Sequence, residues 1–212
     1  SAITLLSANA AARCDPVRSL ATHNDHVVLC LNFDGMHEAV ERQIRDGQVL
    51  CQQHGSLQIA QITGEALLTI WEMQDTWHAA PNDTDQARLQ MRLGVLPSHV
   101  EVVVHHITLP QPFCRQGGQW LADYSSGQIS VHLPLEQPES AAASGAVSGW
   151  LRKLRTQMRD WDGYCVVEYA PAPLRQQLDV WDESPGHQLL RLYKQRFDPH
   201  AVLNPGRYIA GL

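Results

Sequence analysis

With 212 residues, 44 % of them apolar and 18 % charged, the chain is long and apolar enough to bury a core. A formal net charge of −6, from 16 Lys+Arg against 22 Asp+Glu, excludes the basic excess of a nucleic-acid binder, and no run approaches the roughly 20 consecutive apolar residues of a membrane-spanning helix. Cys14, Cys30, Cys51, Cys114 and Cys165 stand singly, without C-x-x-C spacing, which argues against a zinc knuckle or a thioredoxin-type site and reads as reduced thiols of a cytosolic protein.

The opening "SAITLLSANAAARC" has no basic leader and reads as the start of a cut or processed piece, so residues 1–24 are expected to be a polar preamble or the remnant of a preceding domain. Organised structure is predicted from residue 25. "HVVLCLNF" sets Val27, Leu29, Leu31 and Phe33 on one side of a strand, with Cys30 and Asn32 opposite. Asp34 is the expected N-cap of a helix through Met36, Ala39, Val40 and Ile44, stopped by Gly47. "SLQIAQIT" is a weaker strand candidate, "GEALLTIWEMQDTW" a second helix, and "HAAPNDTD" a boundary between two halves near residues 80–86.

A second half repeats the order. "ARLQMRLGV" alternates Ala87, Leu89, Met91 and Leu93 with Arg88, Gln90 and Arg92, the mark of a half-buried strand. "PSHVEVVVHHI" opens like a helix despite its valines, and "GGQWLADYSSGQISVHLPL" reads as a hairpin around Ser-Ser-Gly, with Ile129, Val131 and Leu133 on one face and Ser130 and His132 on the other. The longest helix carries an apolar stripe of Val147, Trp150, Leu151, Leu154, Met158 and Trp161. Its basic run "RKLRTQMR" is expected on the solvated face; Gly163 ends the helix, and "YCVVEYAP" is the last strand. Strand, helix, hairpin, helix, strand predicts an α+β fold over residues 25–182: a ferredoxin-like antiparallel or mixed sheet with helices on one face.

Few side chains announce chemistry. His99, His105, His106 and His132 have no metal-ligand spacing, so no metal site is predicted, and H-E-x-x-H, G-x-S-x-G and G-x-x-x-x-G-K are all absent. Arg88 and Arg92 project together from the polar side of their strand, where their guanidinium forks suit a carboxylate; a solvated sheet edge is the alternative. Trp150 and Trp161 belong to the core stripe, while Trp71, Trp77, Trp120 and Trp181 are unassigned, as are the hydroxyls of Tyr124, Tyr164 and Tyr169.

Residues 183–212 form a separate unit. Ser184 as N-cap and Pro185 as first helical residue open a helix whose Leu189, Leu190, Tyr193 and Phe197 recur at helical spacing. Asp198 and Pro199 end it, and Pro205 with Gly206 makes a second corner, so that Asn204 and Arg207 are held in fixed directions. A stiff carboxy-terminal tie is the plainer account of the same residues.

"KQRFDPHAVLNPGRYIAG" resembles the carboxy-terminal signature of FAD-linked oxidases of the vanillyl-alcohol oxidase type, in which a helix ends in F-D-P and continues to N-P-G and a basic residue. "ARLQMRLGVLP", "GGQWLADY" and "GYCVVEYAP" resemble, more loosely, cap-domain segments of the FAD-binding-type second subunit of bacterial glycolate oxidases, so the likeness covers residues 85–212. The resemblance implies an α+β cap or substrate domain, FAD bordered by Asn204 and Arg207, and turns shaped by Asp198, Pro199, Pro205 and Gly206. It further implies oxidation of a 2-hydroxy acid such as glycolate, with a preceding flavin domain, other oxidase subunits and an electron-transfer subunit as partners, in the cytoplasm or at a membrane through those subunits. The chain departs from the family in lacking the glycine-rich pyrophosphate loop and any H-x-G-D-G-N-x-H stretch. It is therefore expected to be a carboxy-terminal fragment, inactive alone and without FAD of its own. A noncatalytic assembly or small-carboxylate-binding domain is the alternative.

Overall fold

The computed structural model describes residues 2–21, 23, 26–77, 87–108, 118–136, 140–182 and 186–205. Six strands form one sheet: β1 (Ala2–Ser7), β2 (Val27–Asn32), β3 (Arg88–Gly94), β4 (Gln119–Asp123), β5 (Gln128–Pro134) and β6 (Tyr164–Tyr169). Their order is β2-β1-β4-β5-β3-β6, and every described pairing is antiparallel. The helices are α1 (Ala8–Ala11), α2 (His37–Gln53), α3 (Glu65–Thr76), α4 (Val100–Thr108), α5 (Ala141–Asp160), α6 (Ala172–Arg175) and α7 (His187–Phe197). The architecture is α+β, with α4 and α5 packed on one face of the sheet.

The alternation in β3 and β5 decides which face that is. Leu89, Met91 and Leu93 stand beside Leu133, Val131 and Ile129 in register, and all six are at most 1 % exposed. Over them lies the stripe of α5, in which Val147, Leu151, Leu154 and Met158 are buried and Trp150 and Trp161 half-buried, as the spacing predicted. At about 1.5–3 kcal/mol per fully buried large side chain, these four contribute on the order of 10 kcal/mol before conformational entropy is set against them. "HVEVVVHHI" is helical: Val100, Val103 and Ile107 of α4 enter the same core. Trp120, unassigned from sequence, is 2 % exposed in that core, its indole N–H donating to Thr108 Oγ1 at 3.1 Å.

The opening segment, expected as a preamble or remnant, supplies β1. It pairs with β2 on one side and β4 on the other. Ser7 closes the strand, its hydroxyl accepting from Ala10 N (3.2 Å) and Trp120 N (3.0 Å), which caps α1 and fastens β1 to β4. Leu6, Val28 and Leu121 then face away from α5, under Ala10, Ala11, Cys14, Val17, Ile70 and Trp77, in a second core.

Three local expectations are corrected. α2 runs through Gly47 to Gln53, and its N-cap is Met36, without a side-chain cap, so Asp34 does not open it. Residues 57–63 form no strand among the described pairings. Arg155, within the basic run assigned to solvent, is 7 % exposed: its Nε donates to Cys165 O at 3.2 Å and lies 3.8 Å from Asp182, whose carboxylate accepts from Cys165 N at 3.1 Å. With Val167 N donating to Val180 O, this pairing ties the chain after α6 along the free edge of β6.

The hairpin between β4 and β5 turns at Ser125-Ser126-Gly127, as expected. Asp123 accepts from Ser125 N (2.9 Å) and Ser126 Oγ (2.7 Å), and Gly127 has φ +72°. A β-carbon on Gly127 would overlap the carbonyl oxygen of Val95, whose N–H already donates to Gly127 O. Gly127→Ala is expected to destabilise the fold by roughly 1–3 kcal/mol through the left-handed backbone and this overlap. Urea denaturation measures it; an unchanged midpoint would mean that the turn rearranges freely.

Candidate functional site: the arginine face of the sheet and the closing loop

The face turned away from α5 has two halves. Toward β1 and β2 it is apolar and covered by the second core. Toward β3, β5 and β6 the same pleat presents Arg88, Gln90 and Arg92, with Ser130 opposite Arg92, His132 opposite Gln90, and Gln119 opposite His132. β3 lies between β5 and β6, so Arg88 and Arg92 do not occupy a solvated sheet edge; both are half-buried on an interior strand.

The two arginines are differently committed. A β-bulge sets Gln90 opposite Tyr169 but Met91 opposite Val167, which leaves Glu168 as the extra residue, and its carboxylate is ion-paired with the Arg92 guanidinium. Arg88 is held below the usual guanidinium range, first by burial and then by the positive charge of Arg13. Arg13 comes from the turn after α1, donates to Gln119 Oε1 at 3.0 Å, and sits over the Trp77 ring with its guanidinium carbon 5.9 Å from the centroid. Arg13 and Arg88 thus meet electrostatically at a corner walled by the Trp77 ring.

Trp77 roofs this corner. Its ring stacks on His132 with centroids 4.5 Å apart and planes 9° from parallel, and its carbonyl accepts from Gln90 Nε2 at 3.4 Å. Gln90, Ser130 and His132 are each at most 3 % exposed, so three polar side chains are buried along one stretch of sheet. In the sequence His132 stands out only as a possible metal ligand, and Trp77 and Arg13 carry no signal of their own. The available signal was the shared parity of Arg88, Gln90, Arg92, Ser130 and His132.

Among the described residues no three His, Cys, Asp or Glu side chains come together as metal ligands. His106 instead meets Trp161 edge-on at 6.4 Å. Of the other unassigned aromatics, Tyr164 lies across Gly94, Tyr124 packs against the main core, and Trp181 is half-buried in the strap beside β6. Cys14, Cys30, Cys51 and Cys165 carry free thiols, and Cys114 lies outside the described residues. No described helix is long and apolar enough to cross a membrane.

The closing segment is shaped by a carboxylate. Asp198, where α7 ends, accepts from Val202 N (2.9 Å), Leu203 N (3.0 Å) and Lys194 Nζ (2.6 Å), while Lys194 also donates to Leu203 O at 2.6 Å. Ala201 and Asn204 take left-handed φ values of +50° and +46° within this loop. Pro199 sits in the turn after Asp198 and Pro205 follows Asn204; Ser184, Pro185, Gly206 and Arg207 lie outside the described residues. Lys194, not singled out from sequence, closes the loop. The stripe predicted on α7 faces outward: Leu189, Tyr193 and Phe197 are exposed, with the last two rings stacked 6.0 Å apart.

No known family model matches the sequence, and no curated protein matches it.

Lys194, followed by the Leu203 and Val202 amides, holds the Asp198 carboxyl well below the usual range, at about 2. Because the folded value lies under the unfolded value of about 3.9, the contribution is present above pH ~4 and is lost as pH falls through 2. The Val202 and Leu203 amide resonances are expected to titrate together with a midpoint near pH 2, and not at all in Asp198→Asn. A midpoint near 4 would show that the loop does not hold the carboxylate.

Proposed function

We propose that this chain is the cap or substrate-side region of an FAD-dependent oxidoreductase acting on a 2-hydroxy acid such as glycolate. Its frame is a ferredoxin-like unit. β3 and β4, joined through α4, run in the same direction with β5 between them, and β5 and β6, joined through α5, enclose β3. The observation that carries the reading is the tail "FDPHAVLNPGR", in which the family-like motif coincides with a loop closed by Asp198 and Lys194.

The arginine face supports the substrate class. A carboxylate bound near Arg13 and Arg88 would offset the repulsion between the two guanidinium groups. Arg92, paired with Glu168, then forms a wall of the site, and Trp77 excludes water from one side. FAD, when bound, supplies the hydride acceptor for the oxidation. This chain has no glycine-rich pyrophosphate loop, so its share in holding the cofactor rests on Asn204 and Arg207. The remaining contacts fall to the preceding flavin domain, and electrons taken up by the flavin would pass on to partner subunits. The chain alone is inactive on this reading.

A noncatalytic assembly role is the second reading, favoured by the outward apolar stripe of α7. Calorimetric titration with glycolate and lactate separates the two. Arg88→Gln is expected to weaken binding by roughly 10- to 100-fold, the loss of a charge-assisted hydrogen bond. The protein expressed from the whole gene is expected to purify yellow. A gene without a flavin domain upstream of this segment sinks the oxidoreductase reading, whereas subunit complexes that survive FAD removal, with no heat from either acid, establish the assembly role.

A further inference from the structure

Away from the arginine face the chain holds a cavity. It has a volume of about 640 Å³ and lies beside edge strand β2, between α2, the extended segment at residues 56–64 and α3. That volume is typical of small-molecule sites. The walls are apolar: Val28 and Leu31 from β2, Val40 and Ile44 from α2, and Leu67 and Trp71 from α3 all border it.

α2 explains why the space matters. Val40, Ile44, Gly47, Gln48 and Cys51 recur at helical spacing and all border the cavity, yet this 17-residue helix has no fully buried residue. Its apolar face therefore looks into open volume, where a helix of a closed domain would meet a neighbour's side chains. An occupant would supply the missing contacts.

The lining also states the occupant's charge. Among the described residues that border the cavity there is no Asp, Glu, Lys or Arg. Burial, with a smaller effect from Cys14, pushes the Cys30 thiol up to about 11, so it adds no charge at neutral pH. Polar character comes mainly from the side-chain amides of Asn32, Gln48, Gln58, Gln61 and Gln74, which donate and accept hydrogen bonds without charge, together with the hydroxyls of Thr4, Ser56 and Thr63 and the imidazole of His26. Apart from the His26 imidazole, a carboxylate or ammonium here meets no titratable nitrogen or carboxylate side chain and loses its hydration at a large penalty, whereas a hydroxyl or carbonyl finds an amide or a hydroxyl.

We propose that the cavity between β2, α2 and α3 binds an uncharged, largely apolar small molecule that carries a hydroxyl or carbonyl oxygen. The site lies on a different part of the sheet from the arginine corner proposed above to take a carboxylate.

The test titrates the chain with 1-decanol and with decanoate, probes of equal length and different charge, and follows binding heat and melting temperature. Decanol is expected to bind once per chain and raise the melting temperature, with decanoate at least about tenfold weaker. Ile44→Trp, which fills the space, is expected to abolish decanol binding while melting no lower than the parent. Gln48→Lys places a cation on the wall and is expected to reverse the preference toward decanoate, which keeps the test decisive if Ile44→Trp does not fold. The proposal is overturned by absence of decanol binding, by decanoate binding as tightly as decanol, or by a decanol preference that survives the folded variants.

Discussion

Everything on the β2 side of the molecule depends on β1 having a partner on each edge. Six residues, Ala2–Ser7, bond to β2 along their whole length and to β4 through Thr4, Leu5 and Leu6. Without that splice β2 would have no sheet to join, and the second core, the cavity and α3 would lose their floor. Ser7 gives the joint its rigidity, because one hydroxyl oxygen takes the Trp120 amide from β4 and the Ala10 amide from α1. Arg13 lies six residues further on, so the strand that carries the cavity floor also sets the position of the guanidinium over the Trp77 ring.

The sheet serves two chemistries because its pleat separates them. On the α5 side, alternate residues of β3 and β5 are aliphatic and close-packed, which fixes register: a slip of one residue would drive Arg88, Gln90 and Arg92 into that core. The opposite side can then be polar along β3 and β5 and apolar along β1 and β2. Trp77 stands where the two meet, packed with Leu6 and Val28 below and stacked on His132 beside. Its indole is at once the end of a core and the roof of a polar site.

Strong periodicity was legible and long-range pairing was not. The stripe of α5, the hairpin at Ser125–Gly127 and the parity of Arg88 and Arg92 are all written in neighbours along the chain, and the structure places them as read. β1 escaped because six residues of mixed pattern carry little signal until β2 and β4 flank them. Gly47 does not stop α2, since one glycine inside a helix costs only about 1 kcal/mol. Arg155 reads as solvated by spacing alone; only the returning strap brings Asp182 beside it. Glu168 likewise acquires its partner through a bulge, a feature of two strands that neither shows by itself.

The closing helix is held differently from the rest. An isolated helix shorter than about 12–15 residues is marginal in water, and α7 has 11 residues, none of them buried. Its last turn is instead locked onto the loop that follows, by Asp198 gathering the amides of Val202 and Leu203 and by Lys194 of the helix reaching the Leu203 carbonyl. Such a loop fixes where Asn204 stands relative to the helix, but not where the helix stands relative to the sheet. That second placement must come from whatever covers Leu189, Tyr193 and Phe197. On the reading proposed above, the covering surface is the preceding flavin domain. The segment then does two things with one contact: it buries the stripe of α7, and in doing so it brings the preformed loop, with Asn204 already in its left-handed conformation, against the cofactor.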